Sequence, residues 1–312
     1  MKIFRHYEDL PEEARGAAVA IGNFDGVHLG HQAVIGEAGR CARDLGVPWA
    51  VLTFEPHPHA FFGVEKAPFR LTPFKTKSWH IEALGVDVMI VLRFDKAFAE
   101  LDAPTFVHDV LMGGLKARHV VSGYDFVFGN GRRGNCELLL NMGVEEEFDF
   151  TCVRPVHDNA SEAYSSTRVR EFLVGGDPRA AAGLLGRPFE IEGLVEQGGK
   201  RGAAIGFPTA NLHLGEYLRP RQGVYAVRAG VEQDGALTWL DGAANFGQRP
   251  TFGGDDVILE VHIFDYKGDL YGQHLRVQLV DYLRPEKKFG GVDDLKAQIA
   301  ADCEKARKLL SE

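Results

Sequence analysis

The chain has 312 residues, 45% hydrophobic and 25% charged, which suits about two domains with sizeable cores and excludes intrinsic disorder. A formal net charge of −9 excludes the basic footprint of a general nucleic-acid binder, although a few local Arg and Lys residues can still hold phosphates. No run reaches the ~18 apolar residues of a membrane span, and the opening MKIFRHYEDLPEEARG lacks a signal-peptide core; with Cys41, Cys136, Cys152 and Cys303 scattered and no CxxC, a cytoplasmic chain with reduced, buried thiols and no membrane or nucleic-acid partner is expected.

In chain order, Ala17–Gly22, Trp49–Phe54, Val86–Leu92, His119–Gly123 and Phe148–Arg154 read as short buried strands. Helical patterns lie between and after them. These are Leu29–Leu45, Thr72–Leu84 (Thr72 as N-cap, Pro73 first, Gly85 as stop), Asn135–Met142, Ser166–Val174, and Pro178–Leu185 capped by Asp177. Such alternation predicts a parallel, Rossmann-like α/β sheet. The texture changes at Gly186-Arg187-Pro188, dividing residues 1–186 from residues 187–312. Beyond it come Glu190–Val195, Gly223–Val231, Leu237–Asp241, Ile258–Phe264 and Leu275–Tyr282, separated by Gly-rich turns. That pattern predicts an antiparallel barrel or sandwich. A helix over Asp293–Leu310 closes the chain, with Leu295, Ile299, Cys303, Ala306 and Leu310 on one stripe.

Two constellations carry chemistry. Gly22-Asn23-Phe24-Asp25-Gly26-Val27-His28-Leu29-Gly30-His31 ends the first strand and opens the first helix. Free N–H groups and the positive end of the helix dipole suit a triphosphate there. His28 and His31, three apart, can both donate hydrogen bonds to α-phosphate oxygens during in-line displacement. Farther on, Ser165, Ser166, Thr167 and Arg168, followed by Arg170, put hydroxyls and guanidinium groups at a helix start, where they can clamp departing pyrophosphate. Gly129-Asn130-Gly131-Arg132-Arg133-Gly134 satisfies GxGxxG, but it does not open a first βαβ unit, so a nicotinamide-dependent oxidoreductase is the weaker reading. The pair His57 and His59, interleaved with prolines, lacks Cys or carboxylate partners at zinc spacing.

In the second half, Gly206-Phe207-Pro208-Thr209-Ala210-Asn211 makes a tight turn at Gly206 and Pro208. Thr209 and Asn211 project to one side and can hold Mg²⁺ and nucleotide phosphates, with no Walker A motif present. Glu260 and His262 share a strand face, where a carboxylate can take the proton of an alcohol attacking a γ-phosphate.

These strings together resemble the bacterial bifunctional riboflavin kinase/FMN adenylyltransferases, the FAD synthetases. The resemblance rests on GNFDGVHLGHQ, on TFEPHP at Thr53–Pro58, on GYDFVFG at Gly123–Gly129 and on SSTRVR at Ser165–Arg170. It continues through GFPTAN, Gly223-Val224-Tyr225, NFGQRPT from Asn245, the block from Glu260 to Gly272, and Leu283–Phe289. It implies a HIGH-type nucleotidyltransferase domain, then a β-barrel riboflavin kinase domain with a C-terminal helix. ATP, riboflavin, FMN and FAD would be the partners, with Mg²⁺ accompanying ATP and the flavins serving as substrate and product. It further implies flavin contacts from Phe54, Pro56, His57, Asp125, Phe128, Arg284 and Phe289, and it makes Glu260 the base. The sequence departs from the family's usual residues at Tyr164, Gln197 and Ala203, where Lys200 and Arg201 stand nearby as substitute cations. The rival readings are an enzyme with one live module and a flavin-binding protein without turnover.

Overall fold

The computed structural model describes residues 1–64, 68–197, 202, 205–233, 235–251 and 254–311, excepting the side chains of 233, 248–251 and 254–256. Two compact units emerge: Met1–Lys66 with Thr72–Ser165, and Ser166–Glu312 with Ala67–Leu71.

The first unit is a parallel sheet. Its strands are β1 (Lys2–Phe4), β2 (Ala18–Ile21), β3 (Trp49–Glu55), β4 (Val88–Arg93), β5 (His119–Gly123) and β6 (Asp149–Val153), in the order β1-β4-β3-β2-β5-β6. Successive side chains leave on opposite faces. Val19, Ile21, Leu52, Ile90 and Val120 enter one core, and Ala18, Ala20, Val51, Met89 and Val121 enter a second. Both faces are covered, which is why these strands read as unbroken apolar runs. The five expected strands appear within two residues of their expected ends. Strand β1 was not expected, because three residues are too few to show a period.

The helices of this unit are α1 (Leu29–Leu45), α2 (Pro58–Phe61), α3 (Phe74–Glu82), α4 (Lys96–Ala99), α5 (Ala103–Thr105) and α6 (Cys136–Glu145). The last residue of α5 leads into wide π-type turns over Phe106–Gly114. Helix α3 corrects the expected start: Pro73 occupies the cap position and makes no side-chain cap bond. The Thr72 hydroxyl is used elsewhere, accepting the Gly26 N–H at 2.8 Å, while the Thr72 N–H donates to Asp25 Oδ1 at 3.0 Å. A long-range bond has outcompeted a local one.

The second unit opens with α7 (Ser166–Gly175) and α8 (Pro178–Leu185). Asp177 caps α8 as expected, accepting the Ala180 N–H at 2.9 Å. Then come β7 (Phe189–Glu196), β8 (Ala210–His213), β9 (Gly223–Gln233), β10 (Ala236–Thr251), β11 (Gly254–Ile263) and β12 (His274–Arg284). They close into a barrel, β10-β11-β8-β7-β12-β9, with every pairing antiparallel. The choice between barrel and sandwich therefore falls to the barrel. Strand β8 lies inside a motif whose glycine and proline read as a loop, so the sequence hid it.

The closing helix α9 (Val292–Leu310) packs Ala306 and Leu310 against Val224, Ala226, Ala243 and Leu283. Asp302 on the same stripe is buried and takes the Arg284 guanidinium in a fork, Nε to Oδ1 at 2.9 Å and Nη2 to Oδ2 at 2.7 Å. No helix among the described residues is long and apolar enough to cross a membrane.

Candidate active sites

From β2 the chain passes through α1 to β3 on one side of the sheet, and it later reaches β5 on the other side. A crevice forms outside the carboxyl ends of strands where the strand order reverses in this way. The segments that follow β2, β3 and β5 are GNFDGVHLGH, the Pro56–His57 turn and Tyr124–Gly129, so the fold gathers three of the singled-out motifs at one end of the sheet.

His28 is the N-cap of α1 and is 5% exposed; its Nδ1 accepts the His31 N–H at 3.2 Å. With that lone pair engaged, the neutral ring carries its proton on Nε2 and is a donor there. The His31 ring stacks on it, centroids 3.6 Å apart at 21°. A Cβ on Gly30 would stand 3.1 Å from the His28 ring, so glycine lets the imidazole lie against the helix. Phe24 (φ 48°) and Val27 (φ 44°) hold left-handed backbone, a conformation costing of order 1–3 kcal/mol at non-glycine residues and common at ligand-gripping loops. Gly22, Asn23 and Gly26 complete this loop. Asp25 is 2% exposed, and its Oδ1 accepts the Thr72 N–H at 3.0 Å. It shapes the loop.

At the end of β3, Glu55-Pro56 is a cis peptide, and buried His57 caps α2 by accepting the His59 N–H at 3.1 Å. Phe54 belongs to an aromatic cluster with Phe94, Phe98 and Phe106, centroids 5.7 to 6.5 Å away. Phe106 leads on to Phe128 at 5.3 Å, and Phe128 to Phe126 at 5.5 Å. Phe61 and Phe62 flank Phe94 at 5.4 and 5.7 Å, with Phe62 60% exposed. The resemblance pointed to Phe54 and Phe128 and its motif included Phe126, whereas Phe61, Phe62, Phe94, Phe98 and Phe106 belonged to no motif. Sequence reasoning also missed Lys77 of α3, fully buried, whose Nζ donates to Glu55 Oε1 at 2.9 Å and to Thr53 Oγ1 at 3.4 Å. That lysine ties down the strand end from which Pro56 and His57 depart.

Asp125 is exposed on the loop after β5. The GxGxxG string is a closed excursion, since Phe128 and Gly134 exchange backbone bonds of 3.1 and 2.9 Å. The next helix begins beyond it, behind the cap Asn135. Ser165 ends the first unit, and Ser166, Thr167 and Arg168 open α7 in the second. Within that unit Arg170 Nε donates to the Phe69 carbonyl at 2.9 Å.

In the barrel, register builds the second site. Glu196 pairs with Asn211, Asn211 with Glu260, and Glu260 with Asn245. Directly opposed residues share a face, so four polar side chains run across β7, β8, β11 and β10. The alternate row, Val195, Leu212, Leu259 and Phe246, is buried. Thr209, two residues before Asn211, falls on the polar side. Gly206 turns at φ 93°, and His262 donates from Nδ1 to the Pro208 carbonyl at 2.8 Å, fixing the turn to β11. Asn245 Nδ2 donates to Glu286 Oε1 at 3.2 Å.

Arg284, expected beside the flavin, is held within the second unit. Its guanidinium is committed to Asp302 and to the Pro285 carbonyl, and it lies 5.9 Å from the Phe289 ring. It positions the segment that carries Phe289. Lys200, Arg201 and Ala203 lie outside the described residues. The expectation of buried thiols holds for Cys41; Cys152 is exposed, and Cys136 and Cys303 are intermediate.

Two family models match, one described as FAD synthetase over residues 10–168 and one as riboflavin kinase over residues 185–310. The bifunctional riboflavin kinase/FMN adenylyltransferase of Haemophilus influenzae is 40% identical, covering 98% of each chain. Its Escherichia coli K12 namesake is 41% identical over 97% of this chain and 96% of its own. A solved structure named a macrolide-efflux protein, from Streptococcus pneumoniae, is 31% identical with a TM-score of 0.85, covering 98% of each chain.

Proposed function

The chain belongs to the bifunctional riboflavin kinase/FMN adenylyltransferase family, and we propose that the two constellations above are the sites of its two reactions. The enzyme makes FAD from riboflavin in two ATP-dependent steps. The C-terminal domain phosphorylates riboflavin to FMN, and the N-terminal domain adenylylates FMN with release of pyrophosphate. On the motifs we divide the labour at residues 1–186 and 187–312; by compactness, α7 and α8 go with the barrel. ATP dependence points to the cytoplasm as the place of work.

In adenylyl transfer a phosphate oxygen of FMN attacks the α-phosphorus of ATP, and the bond to the bridging oxygen of pyrophosphate breaks. Gly22, Asn23, Phe24 and Gly26 shape the loop that receives the nucleotide, and His28 Nε2 with His31 donates to the charged α-phosphate oxygens. Ser165, Ser166, Thr167 and Arg168 receive the leaving pyrophosphate. The aromatic cluster from Phe54 to Phe128, bounded by Pro56, His57 and Asp125, takes the isoalloxazine, because planar rings stack on aromatic faces. Convergence of three motifs at the switch point of the sheet is the observation that carries this reading.

In riboflavin phosphorylation Glu260 takes the proton of the primary alcohol as its oxygen attacks the γ-phosphorus and ADP departs. Gly206 and Pro208 form the phosphate turn, and Phe289 borders the flavin. The Thr209 hydroxyl and Asn211 amide oxygen, beside a carboxylate, are hard donors that fit Mg²⁺. That ion, when bound, neutralises phosphate charge.

The direct test gives the enzyme riboflavin and Mg·ATP and separates products by fluorescence chromatography. FMN should appear first and FAD should follow; absence of either product removes the corresponding site from the reading. Phe128→Ala should raise the KM for FMN in adenylyl transfer by roughly five- to thirtyfold, the equivalent of about 1–2 kcal/mol of lost ring contact. Riboflavin phosphorylation should stay unchanged. An unaltered KM would place the flavin elsewhere.

A further inference from the structure

Two thiols meet outside the chemistry assigned above. Cys136 opens α6 and Cys152 lies on β6, and their sulfurs are 2.6 Å apart, closer than two separate thiols pack. Cys152 is exposed and Cys136 half-buried, so a small reagent reaches the pair. Burial, the bond to Cys136 and the nearby Asp125 carboxylate push the Cys152 thiol up to about 12. Cys152 thus keeps its proton at neutral pH. The Cys136 thiol is also 3.5 Å from the Gly123 carbonyl and 4.0 Å from that of Tyr124. Those carbonyls start the loop that runs to Phe128.

We propose that Cys136 and Cys152 are a redox-sensitive dithiol that a low-molecular-weight disulfide closes into a protein disulfide, weakening FMN binding for adenylyl transfer while leaving riboflavin phosphorylation untouched. The effect on FMN rests on the reading that Gly123–Gly129 borders the flavin. The Cys136 thiolate attacks one sulfur of the reagent, forming a mixed disulfide and expelling one thiolate, which takes up the released proton. Cys152 then gives up its proton and attacks the Cys136 sulfur, expelling the second. Two protein thiols are oxidised, and one small disulfide is reduced to two thiols. Closure withdraws the Cys136 donor from the Gly123 and Tyr124 carbonyls and ties the start of α6 to β6, so the loop from Gly123 to Phe128 loses its anchoring.

The test treats the full-length enzyme with oxidised glutathione, then maps disulfides by mass spectrometry and measures both half-reactions. A Cys136–Cys152 link should form with loss of two hydrogens. The KM for FMN should rise about three- to tenfold, as loss of one modest hydrogen bond implies. Dithiothreitol should reverse both changes, and Cys136→Ser and Cys152→Ser should keep the reduced-state KM and ignore the oxidant. Glutathione adducts without the internal link would overturn the dithiol. A complete link with an unchanged FMN KM would overturn the switch. The mapping decides the first point even if Phe128→Ala shows that the flavin binds elsewhere, so the two failures stay distinct.

Discussion

Replacing His28 and His31 together with alanine abolishes FAD formation while FMN still accumulates from riboflavin. One preorganised donor to a developing oxyanion is worth ~10²–10³ in rate. The paired change removes both imidazoles from one helix N-terminus, so adenylyl transfer should fall by at least ~10³-fold. The His28 ring also caps α1, and losing a cap costs about 1 kcal/mol. A helix of 17 residues, six of them buried, survives that, and unchanged circular dichroism would confirm it. Kinase activity in the same preparation serves as an internal control. Retention of FAD synthesis within roughly tenfold of wild type, far less than an oxyanion donor's worth, would show that the stacked pair does not touch the α-phosphate.

The reciprocal change is Glu260→Gln. The amide keeps the size of the carboxylate and can still lie between Asn211 and Asn245 in the polar row, and the buried Leu259 and Val261 on the opposite strand face are untouched. Only the proton acceptor is lost. Riboflavin phosphorylation should drop by ~10²–10⁴-fold, the range of a general base. FAD formation from supplied FMN should continue at its usual rate. Simultaneous loss of both activities would mean that the substitution unfolds the protein or that the two reactions share a centre, and either result would sink the assignment.

What the sequence disclosed followed from how local each feature is. The N-cap position of His28 could be approached because glycines, histidines and an apolar periodicity all sit within ten residues. The exact ends of α1 and α8 were legible for the same reason, a cap at one end and a left-handed glycine at the other. Features built by distant partners were not. Thr72 looked like a cap because nothing in its neighbourhood announces Gly26 and Asp25, 46 and 47 positions away. Lys77 carried no local signal, because Glu55 and Thr53, 22 and 24 positions away, reach it only once the sheet has formed. Arg284 was expected at the flavin by resemblance, and nothing near it announces its ion-pair partner Asp302, 18 positions on. The polar row needed four strands in register, although Asn211, Asn245 and Glu260 were each visible and only Glu196 was not. Strand β8 was concealed by its own motif, whose glycine and proline are what a phosphate turn demands.

The two sheets also differ in how they guard against sticking to other copies of the chain. Unpaired strand edges template intermolecular pairing, and natural proteins keep such edges short or charged. The barrel closes on itself and presents no open side to a neighbour's backbone. The parallel sheet has two open sides, and each is blunted. One is β1, three residues long, with Lys2 paired to Glu13 at 2.6 Å. The other is β6, five residues long, beginning at the exposed Asp149 just after the acidic run Glu145–Glu147. A cell that must keep this enzyme dispersed beside nascent, incompletely folded chains therefore has little exposed backbone to shield.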